Sequence, residues 1–197
     1  MICFMARSYS KKRERNEAGT KFRAPLRFLT VRPRPGNQSQ GQLIVGGTVF
    51  PCALGRGGLS SNKREGDGAT PIGAMRILSG YFRRGRFGAP SRLAMAPIRA
   101  DLGWCEVPAD RNYNRPVKIP YAASHESMLR DDRLYDACLV LDWNIRPRRR
   151  NCGSAIFFHL ARPGFTPTQG CVGVTARTMA RLLPLIDRHT VMKVQRS

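Results

Sequence analysis

The sequence predicts a mainly β domain with one or two short helices, on the basis of three observations. Its apolar runs are short and are repeatedly ended by proline or glycine, which is typical of strands and turns. The pair Gly46-Gly47 lies between two such runs and predicts a β-hairpin, because glycine tolerates the positive φ of tight turns. A strong amphipathic helical pattern follows only after residue 174.

The predicted strands follow one another with turn residues between them. The first is ended by Pro33 and Pro35, and a glycine-rich loop over 55–68 precedes the fourth. Residues 80–121 are rich in glycine, proline and arginine, so we expect irregular structure there. The strands are predicted over residues 26–32, 43–45, 48–54, 74–78, 134–143, 154–160 and 191–195.

Two helices are predicted. Ser124 is a suitable N-cap for a short helix that ends at Arg130, with Glu126 in its first turn. Thr175 is a suitable N-cap for the later helix, which Pro184 should distort or end early. Its apolar positions have the spacing i, i+3, i+4, i+7: Met179, Leu182, Leu183 and Ile186.

Length and charge limit the organisation and the partners. The 197 residues suit a basic, disordered tail over 1–24 and one domain over 25–195. With 34 basic and 13 acidic residues the net charge is +21, which favours a polyanionic partner. Nucleic acid, an anionic membrane surface and an acidic cell-wall polymer all fit that description.

The six cysteines stand singly, without a C-x-x-C pair. We therefore expect neither a structural zinc site nor a disulfide framework, and no metal or cofactor. Cys52, Cys105 and Cys138 are expected to be small core residues.

The sequence contains no apolar run of 18 or more residues, so no transmembrane helix is expected. The first residues do not form a recognisable export signal, because a short apolar start precedes the basic run instead of following it.

One histidine and one cysteine are candidates for a catalytic site. His159 and Cys171 are each flanked by apolar residues, and prolines and glycines between them make the chain leave one strand and return. A thiolate is a strong nucleophile, and a neighbouring base helps it to form. Gly170 lets a substrate approach the backbone, where the N–H groups of residues 170 and 171 suit an oxyanion. From the residues alone, the alternative that both side chains only fill buried positions is equally open.

The other titratable residues are weaker candidates for a catalytic role. Asp67 and Asp136 are candidate carboxylates for orienting the histidine, but loop capping and a strand end explain them as well. His125 is expected at the surface of the first predicted helix, and His189 in a connection.

Three segments resemble the L,D-transpeptidase (YkuD) catalytic domain family. Residues 62–73 resemble its Lys…Thr-Pro-x-Gly segment, 156–159 its histidine strand, and 168–172 its Gly-Cys nucleophile motif. Trp104 and the segments 113–117 and 134–136 fit the same family, so the resemblance extends from about residue 26 to 194. It implies a YkuD-like β-sandwich of mixed sheets.

The resemblance also implies the site residues. Cys171 would be the nucleophile, His159 the base, and Gly170 part of the catalytic motif. Substrate binding is expected from Arg162, Thr168, Gln169 and Gly173. Two of these depart from the family pattern, because Gln169 replaces a histidine and Gly173 replaces an arginine or asparagine. The loop before Cys171 is also shorter than usual, and Arg162 is either the replacement cation or a solvated loop residue.

The implied function is cell-wall cross-linking or remodelling by a cysteine-dependent acyltransferase. The thiolate would attack a peptidoglycan tetrapeptide stem, release D-alanine and form a thioester, which an amine on another stem then resolves. If water resolves it, the protein is an L,D-carboxypeptidase. A monomer in the periplasm or cell envelope is expected, although no export signal is visible. A catalytically silent wall-binding domain and a basic nucleic-acid-binding protein remain as alternatives. If the protein is an acyltransferase of the cell wall, no nucleic-acid partner is expected.

Overall fold

The structure is a computed structural model that describes residues 24–196. Almost all of the predicted tail, residues 1–24, therefore lies outside the described residues. The elements are β1 (Phe28–Arg34), β2 (Asn37–Val45), β3 (Thr48–Ala53), β4 (Leu59–Ser60), β5 (Thr70–Pro71), β6 (Gly73–Phe82), β7 (Met95–Pro97), β8 (Leu102–Cys105), β9 (Arg115–Lys118), β10 (His125–Ser127), β11 (Ala137–Leu141), β12 (Phe157–Leu160), β13 (Val172–Val174), α1 (Ala176–Leu182) and β14 (Val191–Val194).

Nine strands form the main sheet, in the order β11-β12-β13-β3-β2-β1-β14-β6-β7. A further pairing of β11 with β6 closes the sheet on itself. Strands β12 and β13 are parallel, as are β1 and β14, whereas β11 and β12 are antiparallel. The mainly β fold with mixed sheets is thus confirmed.

Two predicted features take their expected form. The hairpin joins β2 to β3, and Gly46 has a positive φ of 58° at its turn. Helix α1 begins after Thr175, whose side chain accepts a hydrogen bond from the Thr178 N–H at 3.1 Å. Pro184 lies in a short 3₁₀ turn over Leu183–Leu185, which ends the helix as proline in a helical pattern should.

The middle of the chain differs from its prediction. Residues 80–121 are not irregular throughout, because β6 extends to Phe82 and the strands β7, β8 and β9 follow. A separate three-stranded sheet has the order β10-β8-β9. Its strands are only three or four residues long, too short for a clear alternating pattern.

The helix predicted from Ser124 to Arg130 is wrong. This segment contains β10, in which His125 pairs with Cys105 and Glu126 with Trp104 of β8. His125 therefore lies in a strand and not at a helix start. Ser124 does have the local preference of an N-cap residue. A short helix without an apolar face is only marginally stable, however, and pairing with the buried β8 stabilises a strand in its place.

A second apolar cluster lies beneath the candidate site. Phe157 of β12 is fully buried, and Trp104 and Tyr135 meet its ring edge-on at centroid distances of 5.0 Å and 5.7 Å. Cys138 and Cys171 belong to the same cluster. Trp104 comes from β8, so this cluster joins the three-stranded sheet to the main sheet. Among residues 24–196, no helix is long and apolar enough to cross a bilayer.

Candidate active site

The parallel pair β12 and β13 brings the histidine and the cysteine to one place. His159 lies in β12, and Cys171 comes directly before β13. The intervening chain leaves the sheet and returns so that Phe158 is aligned with Val172 and His159 with Gly173. Both side chains line one cavity of about 360 Å³.

Cys171 is held as a protonated thiol. Its side chain is only 7% exposed, and Sγ donates to the Ala155 carbonyl at 3.2 Å and accepts from the Phe157 N–H at 3.3 Å. Burial raises the pKa of Cys171 to about 12, and the Phe157 N–H opposes the rise only in part. In the resting protein the thiol proton is therefore directed at Ala155 and not at His159.

His159 is held as a neutral imidazole of one tautomer. Its Nδ1 lies 2.7 Å from the Leu160 carbonyl oxygen. A carbonyl only accepts, so Nδ1 must bear the proton and Nε2 has a free lone pair. Burial lowers the pKa of His159 to about 4, against the opposing effect of that carbonyl. This is the form that a general base requires.

The Thr168–Gly170 turn is shaped by close contacts. Gly170 has a φ of +130°, and a Cβ at this position would lie 2.8 Å from the Ala69 carbonyl oxygen, so a side chain does not fit. The Thr168 hydroxyl donates to the Cys171 carbonyl at 2.7 Å and accepts from the Gly170 N–H at 3.2 Å. The Gly170 N–H is thus already engaged before any oxyanion forms.

The other expected binding residues lie in different places. Gln169 and Arg162 are exposed and line the cavity, and Arg162 forms an ion pair with Asp132 at 2.8 Å. Gly173 is buried in β13 and is not among the lining residues. A Cβ there would meet Ala161 at 3.3 Å, so the space beside Gly173 is already filled.

Neither candidate orienting carboxylate reaches the histidine. Asp67 accepts hydrogen bonds from the buried Lys63 ammonium at 2.5 Å and from the Arg64 and Ala69 N–H groups, which braces its loop. Asp136 is buried beside Arg86 and Arg133. Nδ1 of His159 is oriented instead by the main-chain carbonyl of Leu160.

Sequence reasoning missed a charged network on one side of the cavity. Glu126 and Arg130 are joined at 2.7 Å, and Arg130 also binds Asp132, which Arg162 shares. The guanidinium of Arg130 lies over the ring of Tyr135, which in turn meets the His159 ring edge-on at 5.3 Å. Glu126 and Arg130 fall in a segment that was predicted to be a helix, so they were not expected to line a cavity together.

A second missed group comes from loops. Glu65, Glu106 and Ser154 also line the cavity. Glu65 lies in the 62–73 segment that resembles the family, but its side chain was not predicted to line a site. The three residues come from distant segments that only the fold brings together. Within residues 24–196, no group of three or more histidine, cysteine or acidic side chains is arranged to hold a metal ion.

Comparison with known proteins adds one finding. A family model described as the L,D-transpeptidase catalytic domain, YkuD, matches residues 37–194, most of the chain. The search of curated proteins found no match. The match includes β2 to β14 and every residue of the cavity. The chain therefore belongs to the L,D-transpeptidase (YkuD) catalytic domain family.

Proposed function

We propose that this protein is a cysteine-dependent L,D-transpeptidase that acts on peptidoglycan tetrapeptide stems in the cell envelope. The family points to a transferase associated with the cell wall. The observation that supports the specific chemistry is the shared cavity of Cys171 and His159, with the histidine held in the tautomer whose Nε2 is unprotonated.

In the first half-reaction, the Cys171 thiol turns from the Ala155 carbonyl toward Nε2 of His159. Because burial raises the pKa of the thiol and lowers that of the imidazole, the resting pair is neutral. Proton transfer therefore accompanies attack on the stem carbonyl instead of preceding it. The C–S bond forms, the C–N bond to D-alanine breaks, and the imidazolium protonates the departing amine.

The backbone around the nucleophile is the source of oxyanion stabilisation in this mechanism. The Cys171 N–H lies beside the reacting sulfur, and the Gly170 N–H becomes a second donor once it leaves the Thr168 hydroxyl. On the wall of the cavity, Arg162 and Arg130 are cations suited to the carboxylate of the terminal D-alanine.

A carbapenem provides the direct test, because its strained amide acylates a nucleophilic cysteine. Purified protein should gain one adduct on Cys171 by intact-mass spectrometry and should release D-alanine from tetrapeptide muropeptides. A Cys171→Ala variant should lose both. Cys152→Ala is the matched control, since this half-buried cysteine does not line the cavity. Absence of adduct and unchanged muropeptides would instead indicate a silent wall-binding domain.

A further inference from the structure

We propose that one outer face of the main sheet docks on an anionic phospholipid bilayer and leaves the catalytic cavity on the opposite side of the protein. The binding step does not depend on the chemistry proposed for that cavity. Leu29, Val31 and Met192 point into the main apolar core, and alternate side chains of a strand point to opposite faces. We call the outward-pointing residues of β3, β2, β1, β14 and β6 the open face. Across it lie one row of Val49, Ile44, Thr30, Lys193 and Ala74 and a neighbouring row of Phe28, Val191 and Arg76.

The apolar residues of the open face are unusual in their position. Among residues 24–196, the large apolar side chains that are exposed are Phe28, Val49 and Leu78, with exposed fractions of 38%, 54% and 41%. Single exposed apolar side chains are ordinary on protein surfaces. Here all three share one face, because Leu78 follows Arg76 in β6 with the same outward direction. Such a face suits the boundary between the headgroups and the acyl chains of a bilayer.

The charge of the open face has a single sign. None of the residues of β1, β2, β3, β6 and β14 is acidic, and their basic residues are Arg32, Arg34, Arg76 and Lys193. Nζ of Lys193 lies 3.5 Å from the centre of the Phe28 ring, and the guanidinium carbon of Arg27 lies 5.4 Å from it. Long basic side chains place their charge at the headgroups while their alkyl parts cover apolar surface. The exposed ring and the cations beside it therefore suit the same lipid layer.

A cavity at the edge of the open face has the composition of a phosphate site. It measures about 710 Å³, and its lining includes Phe28 and three arginines, Arg27, Arg76 and Arg188. In the described part of the chain these three arginines form no ion pair, since the paired arginines are others. The lining also includes Asp187, which accepts hydrogen bonds from its own loop. Three guanidiniums against this carboxylate leave an excess of positive charge, and guanidinium groups are well suited to phosphate.

Charge and apolar surface together select the partner. A second copy of this chain and the basic segment 1–23 are both repelled by a positive face. Nucleic acid and an acidic cell-wall polymer match the charge but offer no hydrocarbon to Val49 and Leu78. Nucleic-acid bases also stack on open aromatic rings, whereas Lys193 covers one side of the Phe28 ring. An anionic bilayer supplies both phosphates and hydrocarbon.

The closed sheet determines which way the cavity faces on docking. Phe158 and Leu160 of β12 belong to the same core cluster as Leu29 and Val31 of β1, so this core lies between the two strands. Because side chains alternate along β12, His159 points away from this core. The outward sides of β1 and β12 therefore face opposite ways. Docking through the open face directs the cavity away from the bilayer, which under the proposed function is toward the cell wall.

The first experiment measures sedimentation of the full chain with phosphatidylcholine vesicles that contain or lack phosphatidylglycerol. We expect binding only to the anionic vesicles, and weaker binding as salt is raised. Arg76→Gln combined with Lys193→Gln should weaken this binding at least about tenfold, because each basic residue at an anionic surface contributes about fivefold. The matched control combines Arg115→Gln with Lys118→Gln, which gives the same change in net charge at exposed positions of β9 in the other sheet. It should weaken binding less than about threefold. Equal losses in the two double variants, or no binding to anionic vesicles, would overturn the proposal.

The second experiment tests whether the open face reaches hydrocarbon. Leu78→Gln should weaken vesicle binding about three- to fivefold, because only the exposed part of this side chain is newly buried, and should leave binding to a DNA duplex unchanged. In Leu78→Trp, lipids brominated in their acyl chains should quench the new fluorescence, whereas in the control Arg115→Trp they should not. The wild type gives the background from Trp104 and Trp143. Absence of quenching in Leu78→Trp would mean that the face does not enter the bilayer, and DNA binding tighter than vesicle binding would identify a nucleic-acid surface. Either result contradicts docking on lipid.

Discussion

The floor and the wall of the cavity are built in different ways. The floor comes from β12 and from the residue before β13, where His159 and Cys171 are more than nine-tenths buried above an apolar cluster. The wall comes from loops and from the three-stranded sheet, where Glu126 and Arg130 are partly exposed and charged. The floor contains the groups with neutral resting forms, and the wall contains the ions.

This difference has a physical cause. Removing a group from water disfavours its charged form, so burial raises the pKa of the Cys171 thiol and lowers that of the His159 imidazole. Charges persist only where solvent or an opposite charge supports them, as at Arg130 between Glu126 and Asp132. We infer that the floor performs the bond changes and the wall selects what is bound.

The largest predicted effect comes from the floor. His159→Gln should slow carbapenem acylation of Cys171 on the order of 10² to 10⁴-fold, because general acid–base catalysis contributes about that much. The glutamine amide is able to donate to the Leu160 carbonyl in place of Nδ1. His125→Gln is the matched control, since His125 lies outside the cavity lining, and it should alter the rate less than twofold. Equal rates for the two variants would contradict a catalytic role for His159.

The buried histidine should also make stability depend on pH. Burial lowers the pKa of His159 to about 4 in the folded protein, against about 6.5 for a histidine exposed to water. Between these values the unfolded chain binds the proton and the folded chain does not, so the free energy of unfolding falls as pH drops from 6.5 to 4. The expected loss is about 3 kcal/mol, from 1.36 kcal/mol per pKa unit.

Urea unfolding of the wild type and of His159→Gln at pH 7 and pH 4 isolates this contribution, because the other titrating groups are common to both proteins. The wild type should lose about 3 kcal/mol more than the variant over this range. Parallel losses in the two proteins would show that His159 is readily protonated, and thus more exposed to water than the structure indicates.

The floor was also the more predictable region. His159 and Cys171 are marked by local signals: apolar flanks, and an interruption by Pro163, Gly164 and Pro167 that makes the chain leave a strand. Such signals depend on near neighbours in the chain, so the β12–β13 excursion and the following α1 helix were both expected. The group that orients His159 was not expected, because it is the backbone carbonyl of Leu160 and every residue has such a carbonyl.

The wall was poorly predicted for the opposite reason. Glu65, Glu106, Glu126 and Ser154 come from four separate segments. Only Glu65 lies in a segment that resembles the family, and nothing in that segment marks its side chain as part of a cavity. The segment of Glu126 even favoured a helix locally, whereas pairing of β10 with β8 makes it a strand. Non-local contacts decide the structure here, and a single sequence does not report them.

A smaller predicted effect is the pH dependence of Cys171 alkylation. It should distinguish a neutral Cys171 thiol from a preformed ion pair of the Cys171 thiolate with the His159 imidazolium. With a thiol pKa of about 12, the rate of Cys171 alkylation by iodoacetamide should rise about tenfold per pH unit from pH 7 to 9, because only the thiolate reacts. Peptide mapping after partial reaction follows Cys171 itself, and Cys171→Ser gives the background from other cysteines. A plateau below pH 9 would mean that the thiolate forms far more readily than burial allows.

The smallest effect is expected from the wall. Asp132 binds both Arg130 and Arg162, and these guanidiniums, Arg130 first, hold the pKa of its carboxyl well below the ordinary value. Asp132→Asn therefore removes a charge that positions two cations. Because Asp132 is 30% exposed, each ion pair should contribute no more than about 1 kcal/mol.

We expect Asp132→Asn to raise the KM for a tetrapeptide donor two- to fivefold and to leave the rate of carbapenem acylation at saturation nearly unchanged. The neighbouring Asp131→Asn has the same change in net charge and should have no effect on KM. The difference should shrink as salt is raised, since screening weakens exposed ion pairs. A large fall in the saturated acylation rate would instead place Asp132 in the chemistry of the floor, and the division between floor and wall would not hold.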